Sequence, residues 1–280
     1  MHKDGKWAKQ IIDLQDTEGK WGWFHSLSQS YGSPITTEQA LRRLERLGYT
    51  MEDDCIRKAV SYMDSCLIGN QSIPDRREKL HDWDIFTAMI LSTWIRRFTP
   101  DNAMANAVAE KWASIITRAF TGGYYDHSRY VTAYRNTWGI APRGGRFVDF
   151  VNFYTVSLLR NQLDPDTEAL VFDYVLNKDD GIYYVYDKKL TTLPDRFDSR
   201  KASRYLAAME LLSEYSCAKD KLIFVVDWVI ENKQENDMWD MGSSVNDKVY
   251  FPLSDDWRRK EVRVKDCTER ITVLLNSITK

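Results

Sequence analysis

Asp82 and Asp84, with His81 before them and Trp83 between them, open the apolar segment that runs on to Phe98. Two carboxyl groups at a helix start beside an imidazole have the makings of acid catalysis. A carboxylic acid held in an apolar cavity can deliver a proton, and a neighbouring histidine can hold or recharge it. Helix capping accounts for the same residues without chemistry, since acids in a first turn are favoured by the helix dipole. His25 and His127 each close a short aromatic stretch. Brought to one rim with Asp82 or Asp126, they would form an acid–base or metal cluster. No two histidines stand at i, i+3 or i, i+4, and hydrogen bonding within the loops explains both equally well. The pattern calls for no metal and no cofactor.

The stretch EGKWGWFH, Glu18 to His25, has approximate copies at TGGYYDH (121–127), DDGIYYVYD (179–187) and ENDMWDMG (235–242), each joining a turn signal to aromatic residues. Tyr124 to Tyr183 is 59 residues and Tyr183 to Trp239 is 56, while Trp21 to Tyr124 is 103, about two periods. A degenerate copy is expected at LIGNQSIP (67–74), which has the turn without the aromatics. A period of this length marks a repeat architecture.

Between the copies the sequence reads as paired helices. Residues 6–15 form a short helix. Thr36 and Gln39 make a capping box for a helix that ends at Gly48, and a second helix over 53–67 returns along it. The segment 82–98 is apolar on nearly every side. Thr99 as N-cap and Pro100 at the first helical position start a helix over 101–119, with Met104, Val108, Trp112, Ile115 and Ala119 on its inner face. Residues 147–159 are again apolar all round, and Asp164-Pro165 starts an amphipathic helix to about Asn177. The segments 199–215 and 219–233 repeat the order, and 261–278 forms the last helix. Helices buried on all sides alternate with helices that cover them. This predicts an all-α protein, an α/α toroid of about five inner and five outer helices over residues 1–280 as one domain. Short β-hairpins are expected within Tyr183–Leu190 and Val249–Leu253. The long non-helical stretch 236–259 would be a lid over the rim or a brace.

Composition limits the partners. A net charge of −2 with both signs spread along the chain gives no reason for nucleic acid or an anionic membrane. The first residues lack the apolar run of a secretory signal, and nothing approaches the length of a transmembrane segment, so a cytoplasmic location is expected. Cys55, Cys66, Cys217 and Cys267 lack CxxC spacing and read as reduced, buried thiols. The 10 Trp, 15 Tyr and 11 Phe exceed what core filling demands and point to an aromatic-lined cavity.

EGKWGWFHSL, with its recurrence around Gly123, Gly181 and Trp239, resembles the Gly- and Trp-rich repeats of squalene-hopene cyclases; protein prenyltransferase β subunits belong to the same broad group of α/α toroids. The resemblance covers nearly the whole chain. It implies a central aromatic cavity suited to a small apolar or isoprenoid-like ligand. Of the DxDD motif whose Asp protonates an alkene in such cyclases, Asp82-Trp83-Asp84-Ile85 keeps the first two acids and has Ile at the fourth position. These cyclases build the site between two toroids, and this chain supplies one, so the resemblance implies a homodimer or a site within a single barrel. Asp266-Cys267 resembles part of a prenyltransferase zinc set, but no His follows.

On this basis Asp82, Asp84 and His81 are the expected catalytic residues. Trp21, Trp23, Trp83, Tyr124, Tyr183 and Trp239 would line the cavity, their ring faces stabilising a carbocation. His25 and His127 would stand at its rim. Arg204 is expected to be buried on an inner helix, paired with Asp149 or, alongside Arg143, Arg146, Arg200 and Lys201, holding a diphosphate. Asp266 and Arg270 are expected to pair with each other, and Asn152 to sit within an inner helix. Two other classes compete with an isoprenoid cyclase. One is a carbohydrate-active enzyme with paired carboxylates and aromatic sugar platforms; the other is a non-catalytic toroid that binds a peptide or protein.

Overall fold

The computed structural model describes residues 2–25, 27–28, 33–79 and 81–279. The fold is all-α, and among the described residues there is no β-strand. The chain divides into two compact units, Met1–Lys111 and Trp112–Lys280.

The first unit contains α1 (Lys6–Ile12), α2 (Thr37–Arg46), α3 (Asp54–Leu67) and α4 (Trp83–Phe98). Thr36 and Gln39 form the expected capping box at α2. Ile85, Phe86, Met89, Ile90, Leu91, Trp94 and Ile95 are all buried, so α4 is enclosed on nearly every side, as its sequence requires. Of the polar residues inside it, Thr93 Oγ1 donates to the Met89 carbonyl at 2.8 Å, and Arg96 Nε to Asn106 Oδ1 at 2.8 Å.

The helix α5 (Ala103–Ala119) starts later than expected. Thr99 closes α4 instead of capping α5, because both its N–H and its hydroxyl donate to the Ile95 carbonyl. Asn102 takes the capping role, its Oδ1 accepting from the Ala105 N–H at 3.0 Å. Met104 is correspondingly exposed, and Ala105, Ala109, Trp112, Ile115, Ile116 and Ala119 make the buried face.

The second unit goes on through α6 (His127–Trp138), α7 (Gly145–Val148), α8 (Phe153–Leu159), α9 (Pro165–Asn177), α10 (Arg200–Leu212), α11 (Ala218–Lys221), α12 (Ile223–Glu231) and α13 (Lys260–Thr279). Helix α6 was not expected; only Tyr130, Ala133 and Tyr134 of it are buried, so its polar sequence hides it. The segment 147–159 is two helices, since the Asn152 side chain accepts from the Tyr154 and Thr155 N–H groups and restarts the helix there. Asp164 and Pro165 begin α9 as expected. The expected hairpins reduce to the isolated bridge Ile182–Tyr186, with Asn152–Tyr183 beside it, and to a cis Phe251–Pro252 bond. Trp112, Tyr134 and Phe147 form part of a buried aromatic cluster, with Phe147 stacked on Trp112 at 5.9 Å.

The repeat is present in the backbone. Gly19, Gly123, Gly181 and Asp237 all have positive φ, and each donates its N–H to the carbonyl three residues before it. Gly69, in the degenerate copy, does the same. At Gly19 a Cβ would stand 2.5 Å from the Lys58 carbonyl oxygen, so close approach as well as φ demands glycine. The aromatic residue two positions on is Trp21, Tyr125, Tyr183 and Trp239. The aligned aromatic of the second copy is therefore Tyr125 and not Tyr124.

Candidate functional site

Helices α3 and α4 pack together, and a groove of about 270 Å³ lies beside them. Asp84, Thr87, Ala88 and Leu91 line it at i, i+3, i+4 and i+7, one face of α4. The opposite wall comes from the end of α3 and the segment 71–73 that follows the turn at Gly69. Leu91, Ile73 and Cys66 are buried and floor the groove, while Asp84, Gln71 and Ser72 are exposed at its rim. Trp83 stands at the mouth, half-buried. Burial pushes the Cys66 thiol up, against a weaker opposing hydrogen bond from Tyr62, so Cys66 is an apolar wall and no nucleophile at neutral pH.

The expected catalytic residues have separate tasks. Asp82 caps α4, its Oδ1 accepting from the Ile85 N–H at 3.1 Å. Asp84 pairs with Arg77 at 3.2 Å, and its side chain is 78% exposed. His81 is buried with Nδ1 3.5 Å from Glu78, and its ring meets Phe86 edge-on at 4.6 Å and stacks near Trp83 at 6.2 Å.

His25 is buried too, and its ring meets the same Phe86 edge-on at 5.4 Å. Its Nε2 lies 4.0 Å from Oε2 of Glu38, a fully buried carboxylate that accepts the Trp94 indole N–H at 2.7 Å. Asp75 fixes the segment: its carboxylate accepts the Phe24 and His25 N–H groups and the Ser28 hydroxyl. His25 and His81 thus share one phenyl ring. His127 is not the local equivalent of His25. It is the exposed first residue of α6, next to the N-cap Asp126, with Nδ1 3.1 Å from the Tyr125 hydroxyl. Among the described residues, no three His, Cys, Asp or Glu side chains gather as a metal site.

Most of the expected lining residues do other work. Trp21 and Trp239 are buried braces whose indole N–H groups donate to the carbonyls of Ile11 (2.7 Å) and Val229 (2.8 Å). Trp23 is half-buried, its carbonyl accepting from the Thr37 N–H at 2.9 Å. Tyr124 and Tyr183 are exposed. Trp83 alone of the six lines the groove.

The expected ion pairs are rearranged. Arg204 is exposed and not buried, because it falls on the solvent face of α10. Asp149 pairs with Lys178 instead. Arg270 binds Glu210 at 2.6 Å and the Ser203 hydroxyl at 2.7 Å, leaving Asp266 to accept the Leu253 and Ser254 N–H groups. Of the proposed anion-binding residues, Arg200 donates to the Ser244 and Asn246 carbonyls, Lys201 lies 3.7 Å from Asp195, and Arg143 is exposed. The Arg146 side chain lies outside the described residues.

Glu38, Asp75 and Thr87 were not singled out in the sequence. Glu38 stands three residues before the core residue Leu41 on the apolar face of α2, which is a usable signal. Asp75 has none, since it lies in a polar connecting segment. No protein-family model matches this chain, and neither curated proteins nor solved structures give a significant match. Among the described residues, no helix is long and apolar enough to cross a membrane.

Proposed function

We propose that the chain binds a small, mainly apolar, isoprenoid-like ligand in the groove beside α4. The observation behind this is a groove with an apolar floor of Leu91, Ile73 and Cys66 and an indole, Trp83, at its mouth. Its volume of about 270 Å³ is below the roughly 300 Å³ at which drug-sized sites begin, which favours a short ligand over a triterpene. The closed toroid over residues 1–280, the terpenoid-cyclase-like kinship, a cytoplasmic location and a homodimer are carried as parts of this proposal.

Binding is favoured over protonation chemistry. A cyclase acid must be kept from water and free to donate, whereas Asp82 is engaged as a cap and Asp84 stands in solvent beside Arg77. A glycosidase is disfavoured as well, because Asp84 is the sole carboxylate among the described residues lining this groove, and glycoside hydrolysis takes two. Calorimetric titration with geraniol tests the proposal. Binding is expected in the parent chain and its loss in Ala88→Leu, which fills the groove while circular dichroism reports an unchanged helix signal. Equal binding by that folded variant would refute the site.

A further inference from the structure

In the second unit, Trp112 of α5 meets Tyr134 of α6 edge-on at 5.8 Å, and an open groove of about 370 Å³ lies between the same two helices. Arg118 lines it from the last turn of α5. Ser128, Arg129, Thr132, Ala133 and Asn136 line it from α6, and the last four of these fall on one helical face. Ala133 is buried, while the other five are exposed. No carboxylate among the described residues lines the groove. Its two cations are poorly matched. Among the described residues nothing pairs with the Arg118 guanidinium. The Arg129 guanidinium reaches only Oδ2 of Asp126, at 3.5 Å, and its side chain is 47% exposed. The other Asp126 oxygen is engaged as the α6 cap, accepting the Arg129 main-chain N–H at 3.0 Å. Gly122 makes room for this arginine, since a Cβ there would stand 3.3 Å from Arg129 Nη1.

We propose that this groove binds a phosphomonoester of a small polyhydroxylated molecule, its phosphate held between Arg118 and Arg129. Two guanidinium groups facing one concavity match a phosphate dianion in charge, and its three oxygens suit their planar forks; a carboxylate would neutralise only one of them. The exposed Ser128 hydroxyl, next to Arg129 in sequence, adds a donor at that end. The ester's other end is set by Asn136. Seven residues at a rise of about 1.5 Å carry it about 10 Å along α6 from Arg129. Its exposed amide has both donors and an acceptor, which suits hydroxyl groups. Between the two ends Ala133 presents only a methyl group, and Thr132 has already given its hydroxyl proton to the Ser128 carbonyl at 2.8 Å. A bare phosphate ion would leave most of the 370 Å³ unfilled, and that volume falls within the range of small-molecule sites, which begins near roughly 300 Å³. The site belongs to the second unit alone and is independent of the ligand proposed for the groove beside α4.

The test is calorimetric titration of the intact chain with glucose 6-phosphate, inorganic phosphate and glucose. Glucose 6-phosphate should bind, inorganic phosphate should bind about tenfold more weakly, and glucose should give no heat of binding. Arg118→Met should weaken glucose 6-phosphate about tenfold or more, the size of a hydrogen bond to a charged group. Asn136→Leu should bring glucose 6-phosphate down to the affinity of inorganic phosphate and leave the latter unchanged. Arg143→Met removes an exposed arginine outside the groove and should change neither. All three substitutions replace exposed side chains, so the thermal midpoint should stay where it is and report that each variant is folded. Failure of glucose 6-phosphate to bind the parent chain would overturn the proposal. So would equal affinities for glucose 6-phosphate and inorganic phosphate, which would mean an anion patch that does not recognise the ester, or an equal loss in Arg143→Met and Arg118→Met, which would mean diffuse charge and no built site.

Discussion

Trp21 in the first unit and Trp239 in the second follow a left-handed residue by two positions and send their indole N–H to a carbonyl ten residues upstream. Each also gives its main-chain N–H to a threonine hydroxyl, Thr37 at 2.9 Å and Thr268 at 3.0 Å. Beyond the tryptophan the two turns part. In the first unit the next residues reach Phe24 and His25, whose N–H groups are held by Asp75, and the histidine ends beside Glu38 and Phe86. In the second unit Asp240 forms a bidentate pair with Arg263, at 2.7 and 2.9 Å, and the Met241 N–H meets the Cys267 thiol. The repeated turn is thus a brace, and whatever distinguishes the two units chemically is written in the residues just after it.

The largest expected effect falls on the shared part. Trp21→Ala and Trp239→Ala should each cost about 3–5 kcal/mol, as for other buried aromatic truncations, read from denaturant unfolding of the intact chain. Phenylalanine at either position keeps most of the packing and removes the indole hydrogen bond, so each should lose about 1–2 kcal/mol. Unequal losses from the two Phe variants, differing by more than about 1 kcal/mol, would break the equivalence of the turns.

The next effect probes what differs. Arg263 and Asp240 are both nearly buried, so Arg263→Met should cost about 3 kcal/mol by leaving a carboxylate without its partner. Burial pushes the Asp240 carboxyl up, but the Arg263 hydrogen bond and the Gly242 N–H outweigh it and hold the group below its ordinary value near 3.8. The folded state therefore binds that proton less readily than the unfolded chain. The stabilisation is fully present above the unfolded value and is lost as pH falls through the lower folded one. The gap between parent and Arg263→Met should narrow below about pH 4; a gap constant down to pH 2 would mean the pair contributes nothing electrostatic. A smaller effect sharpens the comparison further. Thr37→Val and Thr268→Val each remove one acceptor for a tryptophan N–H and should cost about 1 kcal/mol apiece in thermal unfolding.

Where side chains signal through local backbone rules, the sequence was legible. The Thr36–Gln39 box, Pro165 at the start of α9 and the all-round apolarity of α4 all read directly. So did the turn period, because a left-handed residue leaves its mark as glycine or Asp. Helix α6 did not, since three buried residues among polar ones give a faint periodicity. The break at Asn152 was hidden for the opposite reason: an apolar run carries no mark of a side chain that stops and restarts it. In the candidate site, the capping role of Asp82 was available from its position alone. The hold of Asp75 on Phe24, His25 and Ser28 and the unpaired hydroxyl of Thr87 depend on tertiary neighbours, which no local pattern encodes.

Helix α13 has a consequence for the order in which the chain can fold during synthesis. The partners of Trp21 lie 10 and 16 residues away, so its turn can close soon after residue 37 has been made. Trp239 must wait for Thr268, 29 residues further on, and Ser203 waits for Arg270 across 67 residues. Because α13 also holds Asp240 through Arg263 and the 253–254 backbone through Asp266, the second unit stays unlatched until that helix arrives. At about 5–20 residues per second, a ribosome leaves the segment from 239 to 259 exposed for seconds before its fasteners emerge, a window in which chaperones would find it.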